Sequence, residues 1–335
     1  MTLIRLALKG LSYTGLALGL GALLAGCVAS SRTQATEAAF PPVGQFVEVT
    51  GGRVHYVQKG SGPHVVLLHG AGGNLRDFTF DLVDRLADDY TVTAFDRPGL
   101  GYTDRVPQVA KGPFATAGDA PADQARMLRE AATQLGITDP IVAGHSFGGI
   151  VAMAWADIGL TEDAPVNASG IVSFAGVLMP WPDGLGAYYT LNGSVLGGAV
   201  TIPLIAAFVP ISTVEGAIEG IFSPDPVPAG YTEHIGAPLA VRQTTFRANV
   251  RQVNTLRPYV VDMVTRYPQI TVPIEIIHGT ADKTVPLQVH PAEFIKIVDS
   301  ARLTSMQGVG HMPHHADPQA AVDAINRAAA RAGLR

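Results

Sequence analysis

Cysteine is almost missing from this chain: Cys27 is the single one in 335 residues. A disulfide within the chain is therefore impossible, and no metal cluster can be built from its thiols. Charge is scarce as well. Asp, Glu, Lys and Arg make up 15% of the residues, and the 23 Lys and Arg are outnumbered by 28 Asp and Glu, for a formal net charge of −5. That balance leaves no basic footprint for a phosphate backbone and excludes nucleic acid as an expected partner. Also missing are an internal repeat of fixed period, a long run of like charge and a low-complexity tract. With 47% hydrophobic residues, the chain has enough apolar material for one large core carrying an insertion.

The N-terminus reads MTLIRLALKGLSYTGLALGLGALLAGCVAS. Arg5 and Lys9 form a basic start, an uncharged apolar stretch follows, and small residues close it, which is the anatomy of an export signal. Leu24, Ala25, Gly26 and Cys27 resemble a bacterial lipobox, which implies an exported protein lipidated at Cys27, its first mature residue. Val28 and Ala29 follow, with no aspartate, so an outer-membrane destination is expected where the envelope has two membranes. Residues 1–27 are thus expected to be a lipoprotein signal peptide with its lipobox. Residues 28–44, small, polar and proline-ended, are expected to be a flexible tether.

From Gln45 onward the hydrophobic pattern changes character. QFVEVTGGRVHYVQKGSG holds two short β-type runs hinged at Gly51-Gly52, and HVVLLHG is continuously apolar, as a strand buried on both faces must be. Helical and strand patterns then alternate: a helix over NLRDFTFDLVDRLADDY, a strand at TVTAFDRPG, a helix ended by Gly136, and a strand at PIVAGHS. A helix at GGIVAMAWADIG and a strand at ASGIVSFAG follow. Alternation of this kind predicts βαβ units and a mostly parallel sheet. It stops between about 179 and 258, where the chain is apolar and rich in Gly and Pro. It resumes with VPIEIIHG, a helix from about Leu287 to Val298, ARLTSMQG and a C-terminal helix over DPQAAVDAINRAAARAG. Residues 45–178 and 259–335 are expected to form the core, with 179–258 inserted as a helical cap.

One turn stands out. Val142 and Ala143 end a strand, and Gly144-His145-Ser146-Phe147-Gly148 leads into a helix, a match to G-x-S-x-G. A nucleophile there sits on a strained backbone, and glycine at the flanking positions avoids collisions with the adjoining strand and helix. A serine hydroxyl needs a base to take its proton and a third group to hold the base. The loops after two later strands offer Asp282 and His311, in the chain order Ser, Asp, His. Asp183 is the alternative acid. His314 and His315 compete with His311; they read as surface residues, since no carboxylates or further histidines nearby in sequence complete a metal set. His69, His145 and His278 read as structural, and Asp96 and Arg97 as holding the loop after the fourth strand.

With HGAGGN, DRPGLGYTD, GHSFGG, HGTADKTVP and GVGHMPH in this order at strand ends, the chain resembles the α/β-hydrolase family of the capped, single-domain kind from about Gln45 to the C-terminus. The resemblance implies an α/β fold, a mostly parallel central sheet flanked by helices with an inserted helical cap. It also implies an oxyanion hole from the backbone N–H groups of Ala71 and Phe147. Haloalkane dehalogenases and epoxide hydrolases of similar fold carry aspartate in place of this serine. An alkylated serine would be a dead-end ether, so Ser146 argues for substrates with a carbonyl.

Between Met179 and Thr232 there is no Lys or Arg, and the only acids are Asp183, Glu215, Glu219 and Asp225. Such a cap suits a small hydrophobic carbonyl substrate. The expected activity is ester hydrolysis through an acyl-enzyme on Ser146, with no cofactor and no metal. The alternatives are carbon-carbon bond hydrolysis of diketones, a proline-iminopeptidase-like peptidase whose amine site is Glu215 or Glu219, and a non-catalytic envelope scaffold. The sequence leaves the oligomeric state open.

Overall fold

A computed structural model describes residues 21, 23–162, 166–182 and 184–335. Most of the expected signal peptide, and Asp183, lie outside the described residues. Among the described residues eight strands form one sheet: β1 (Gln45–Val49), β2 (Gly52–Lys59), β3 (His64–Leu68), β4 (Thr91–Phe95), β5 (Ile141–His145), β6 (Gly170–Phe174), β7 (Ile274–Gly279) and β8 (Ala301–Met306). Their order is β1-β2-β4-β3-β5-β6-β7-β8. The pairs β1/β2 and β2/β4 are antiparallel and the rest parallel. Parallel strands need long crossovers, and these put helices on both faces.

Side-chain alternation explains why the central strands read as unbroken apolar runs. Val66 and Leu68 of β3 and Val142 of β5 join one core layer, while Val65, Leu67, Ile141 and Ala143 join the other. Each Val, Leu and Ile side chain among these, fully buried, contributes about 1.5–3 kcal/mol of transfer free energy. The helices in chain order begin with α1 over residues 23–39, α2 (Arg76–Thr79), α3 (Leu82–Leu86), α4 (Pro121–Gln134) and α5 (Phe147–Ile158). Between β6 and β7 come α6 (Gly186–Gly193), α7 (Ile202–Phe208), α8 (Ile211–Phe222), α9 (Tyr231–His234), α10 (Gln243–Asn254) and α11 (Leu256–Val264). The chain ends with α12 (Pro291–Phe294), α13 (Pro313–Ala316) and α14 (Pro318–Arg331). Helix α14 shows the local logic: the Asp317 side chain caps Ala320 N–H at 3.1 Å, Pro318 opens the first turn, and Ala321, Ala324, Ile325, Ala328 and Ala329 bury one stripe.

Several expectations need correction. The single helix expected after β3 is two short ones, α2 and α3, and the helix expected from Leu287 to Val298 is only Pro291–Phe294. The boundary expected at 258 falls inside α11, whose Leu256, Val260 and Met263 belong to the main core. The largest difference is at 28–44, expected to be a flexible tether: residues 23–39 are helical. Ala25 and Ala29 pack against Ala206 and Ala207 of α7, Arg32 Nη2 donates to Val209 O at 2.9 Å, and Glu37 pairs with Arg242 at 2.7 Å. The apolar face here is made of alanines, with no large side chain to mark a period.

Candidate active site

Parallel strands ending at one edge of the sheet deliver the chemical groups together. Ser146 follows β5 with φ 51° and ψ −116°, a conformation that L-residues adopt only under strain of about 1–3 kcal/mol. Two glycines make room for it. A Cβ on Gly148 would lie 1.9 Å from Leu68 O, and one on Gly144 would lie 2.2 Å from Gly148 O. Both contacts are with backbone, which cannot swing aside.

Ser146 Oγ lies 2.9 Å from His311 Nε2, and His311 Nδ1 lies 2.7 Å from Asp282 Oδ2. All three residues are buried. The other carboxylate oxygen of Asp282 accepts N–H bonds from Thr284 at 2.8 Å and Val285 at 2.9 Å. Burial opposes the charge on Asp282, but hydrogen bonds from His278 and His311 and the field of His311 outweigh it. The carboxyl is held below its usual range. With Nδ1–H assigned toward Asp282, the lone pair of His311 Nε2 faces the serine hydroxyl.

The loop after β3 faces Ser146. The N–H groups of Ala71 and Phe147 have no hydrogen-bond partner among the described residues. Phe147 opens α5, where helix N–H groups are unpaired by geometry. The Arg97 side chain, wholly buried, pins the β3 loop by donating to His69 O at 2.7 Å and Gly70 O at 3.0 Å. Its guanidinium also stands 4.4 Å from the centre of the Phe147 ring. His69 Nε2 accepts the Arg97 N–H at 2.9 Å while Nδ1 faces Gly70 O. This requires a neutral imidazole, and burial, helped by the Arg97 charge, lowers His69 to about 4. Asp96 is held below its usual range: burial opposes its charge, and the His55 contact, with Leu75 N–H, overcomes it.

His314 and His315, expected at the surface, are buried against Asp77, and this corrects the sequence reading. Asp77 Oδ1 accepts from Tyr231 OH at 2.7 Å and lies 2.8 Å from His315 Nε2, while Oδ2 is 3.3 Å from His314 Nε2. Burial opposes the Asp77 charge, and the fields and hydrogen bonds of His314 and His315 outweigh it. Asp77, His145 and His314 each bring one ligand-type atom within 4.8 Å of the others, so a carboxylate does stand near these histidines. Both Asp77 oxygens already have donors, which makes the cluster a hydrogen-bonded support. His145 Nε2 reaches His311 O at 3.0 Å, and burial keeps His145 well below the usual imidazole range.

A cavity of about 360 Å³ opens over Ser146 and His311, lined by Tyr189, Ile205, Val209, Val214 and Ile218 of the cap. No Lys or Arg lines it among the described residues. Glu215 and Glu219 are exposed and do not line it, so the expected amine site is not formed by them. The cap also supplies residues that the sequence reading missed. Asn249 Oδ1 of α10 accepts Gly72 N–H at 2.7 Å, and Asp225 Oδ2 accepts Gly310 N–H at 2.7 Å, just before His311. Asn249→Ala is expected to lower kcat about fivefold with KM nearly unchanged, as one loop-ordering hydrogen bond is worth about 1 kcal/mol. A change below twofold would mean that Arg97 alone holds the loop.

The model of the alpha/beta hydrolase family matches residues 65–324. The chain belongs to that family. An uncharacterised protein of Mycobacterium tuberculosis is 28% identical over 290 residues, covering 86% of this chain and 81% of that one. The esterase of Exiguobacterium antarcticum is 20% identical, with a TM-score of 0.64 over 85% of this hydrolase and 98% of that chain. A membrane phospholipase A, described as a bacterial virulence factor, is 18% identical, with a TM-score of 0.63 over 96% and 99% of the two chains. At these identities the two solved structures show the shared fold.

Proposed function

We propose that this hydrolase is a serine esterase of hydrophobic substrates, working through an acyl-enzyme on Ser146. The observation that carries the reading is the chain of short contacts from Ser146 Oγ through His311 to Asp282, placed at an apolar cavity. His311 Nε2 takes the hydroxyl proton as Oγ attacks the ester carbon, and Asp282 stabilises the imidazolium that forms. The carbonyl oxygen becomes an oxyanion for which the N–H groups of Ala71 and Phe147, without hydrogen-bond partners among the described residues, are the donors. The same proton then passes to the departing alkoxide. Water, deprotonated by His311, frees the acid.

The cavity supports the substrate class. Its cap wall is mostly aliphatic and aromatic, with Thr213 and Asn249 as polar members, and among the described residues it carries no cation to meet an anionic acyl group. The N-terminal pattern completes the reading: the protein is exported, and Cys27, exposed on α1, carries the lipid that holds it at the cell envelope. The experiment is hydrolysis of p-nitrophenyl esters from acetate to palmitate. Turnover is expected with medium-length acyl chains ahead of acetate, because each buried CH₂ adds about 0.8 kcal/mol of binding. Turnover of none of these esters by folded protein would sink the ester reading in favour of diketone substrates.

A further inference from the structure

From Gly184 to Val214 the sequence has no Asp, Glu, Lys or Arg. A helix at a water-exposed surface ordinarily turns a charged face outward, and α6, α7 and the π-helical turn Gly197–Thr201 have no charge to turn. Tyr189, Ile205 and Val209 face the cavity above Ser146. The opposite side is apolar too. Leu196, Val200, Leu204 and Phe208, spaced four apart along one ridge, are 60%, 44%, 45% and 59% exposed. Gly186–Gly193 and Gly197–Phe208 together have the length and apolarity of a membrane span, but they meet at 83° and so cannot cross as one rod.

The position of α1 says what covers this ridge. Ala29 packs on Ala206 and Ala207, and Arg32 holds Val209 O, so the exposed Cys27 and Val28 emerge beside α7. A lipid on Cys27 enters a bilayer at that edge, and the ridge of α7 beside it is uncharged and apolar. We propose that the ridge from Leu196 to Phe208 docks on the lipid bilayer and that the cap receives its ester substrate from the membrane. This rests on the reading of Cys27 as the anchor. Apolar side chains sink into the headgroup boundary, as an interfacial helix does, and the anchor removes most of the entropic cost of docking.

The test uses the protein as exported and processed by a bacterial host, in phosphatidylcholine–phosphatidylglycerol vesicles containing brominated phosphatidylcholine, with a thiol-reactive fluorophore on Leu204→Cys or, on the exposed far edge strand, Ser305→Cys. Quenching is expected to be at least about fivefold stronger at 204 than at 305. Equal quenching at both positions overturns docking. So does quenching lost at 204 together with a dimer in sedimentation, which assigns the ridge to a second copy. Labelling of wild-type Cys27 would overturn the anchor separately, since a lipidated thiol takes no label, and the 204/305 comparison in a Cys27→Ser background would still decide docking. Leu196→Asp/Leu204→Asp/Phe208→Asp should lower turnover of a long-chain ester held in vesicles about tenfold and leave p-nitrophenyl acetate in water unchanged. Equal loss on both substrates would overturn delivery from the membrane.

Discussion

Ser146→Ala should lower kcat on p-nitrophenyl butyrate by at least about 10⁴-fold while the fold and ester binding persist. The substitution removes one oxygen from a side chain that points at His311, and everything that holds the turn is left in place. Ser146 N–H still donates to Phe174 O at 3.0 Å, and Gly149 N–H still reaches Ser146 O. Alanine suffers the same strain as serine at φ 51°, so the change in stability should stay within about 1 kcal/mol. Residual activity from the Ala71 and Phe147 N–H groups is expected, because oriented donors stabilise an oxyanion from water attack as well. The measurement is kcat and KM for both proteins with the melting temperature alongside. Turnover within tenfold of the parent would remove Ser146 from the role of nucleophile.

Asp282→Asn should be nearly as damaging, about 10⁴-fold in kcat, for a different reason. Thr284 and Val285 N–H groups can keep the amide oxygen where Oδ1 sits, which turns the NH₂ toward His311 Nδ1. That forces the proton onto Nε2, and the base then presents a donor to a hydroxyl it must deprotonate. The variant also tests the electrostatics. The folded Asp282 carboxyl lies below its unfolded value, so its contribution to stability is present above the ordinary carboxylate range and lost as pH falls through the folded value. Melting curves from pH 6 to pH 3 should therefore fall less steeply for Asp282→Asn than for the parent. Parallel curves would mean that the carboxylate gains nothing from its partners in the fold.

Much of this protein was written locally in its sequence. The serine turn is legible because strand, turn and helix are adjacent and two glycines mark backbone contacts that admit no Cβ. Asp282 and His311 are legible because parallel strands end at one edge, so residues just past successive strands meet there. The strands are legible because a sheet covered on both faces must be apolar at every position. What the sequence determined by itself, then, was the layer architecture, the order of the sheet strands along the chain, and the three groups now joined through Ser146, His311 and Asp282.

Only the tertiary structure decided the rest. Asp77 lies 237 residues from His314, and no local pattern announces that a carboxylate will be buried against two histidines. Helix α1 read as a tether because its buried face is alanine, which carries little hydropathic signal until Ala206 and Ala207 press against it. Asn249 and Asp225 are ordinary polar residues in sequence and become supports of the site only when the cap folds over it. In each case the reason is physical: periodicity reports which face of an element is buried, while the identity of the partner is set by contacts between distant segments that the chain forms only once it has folded.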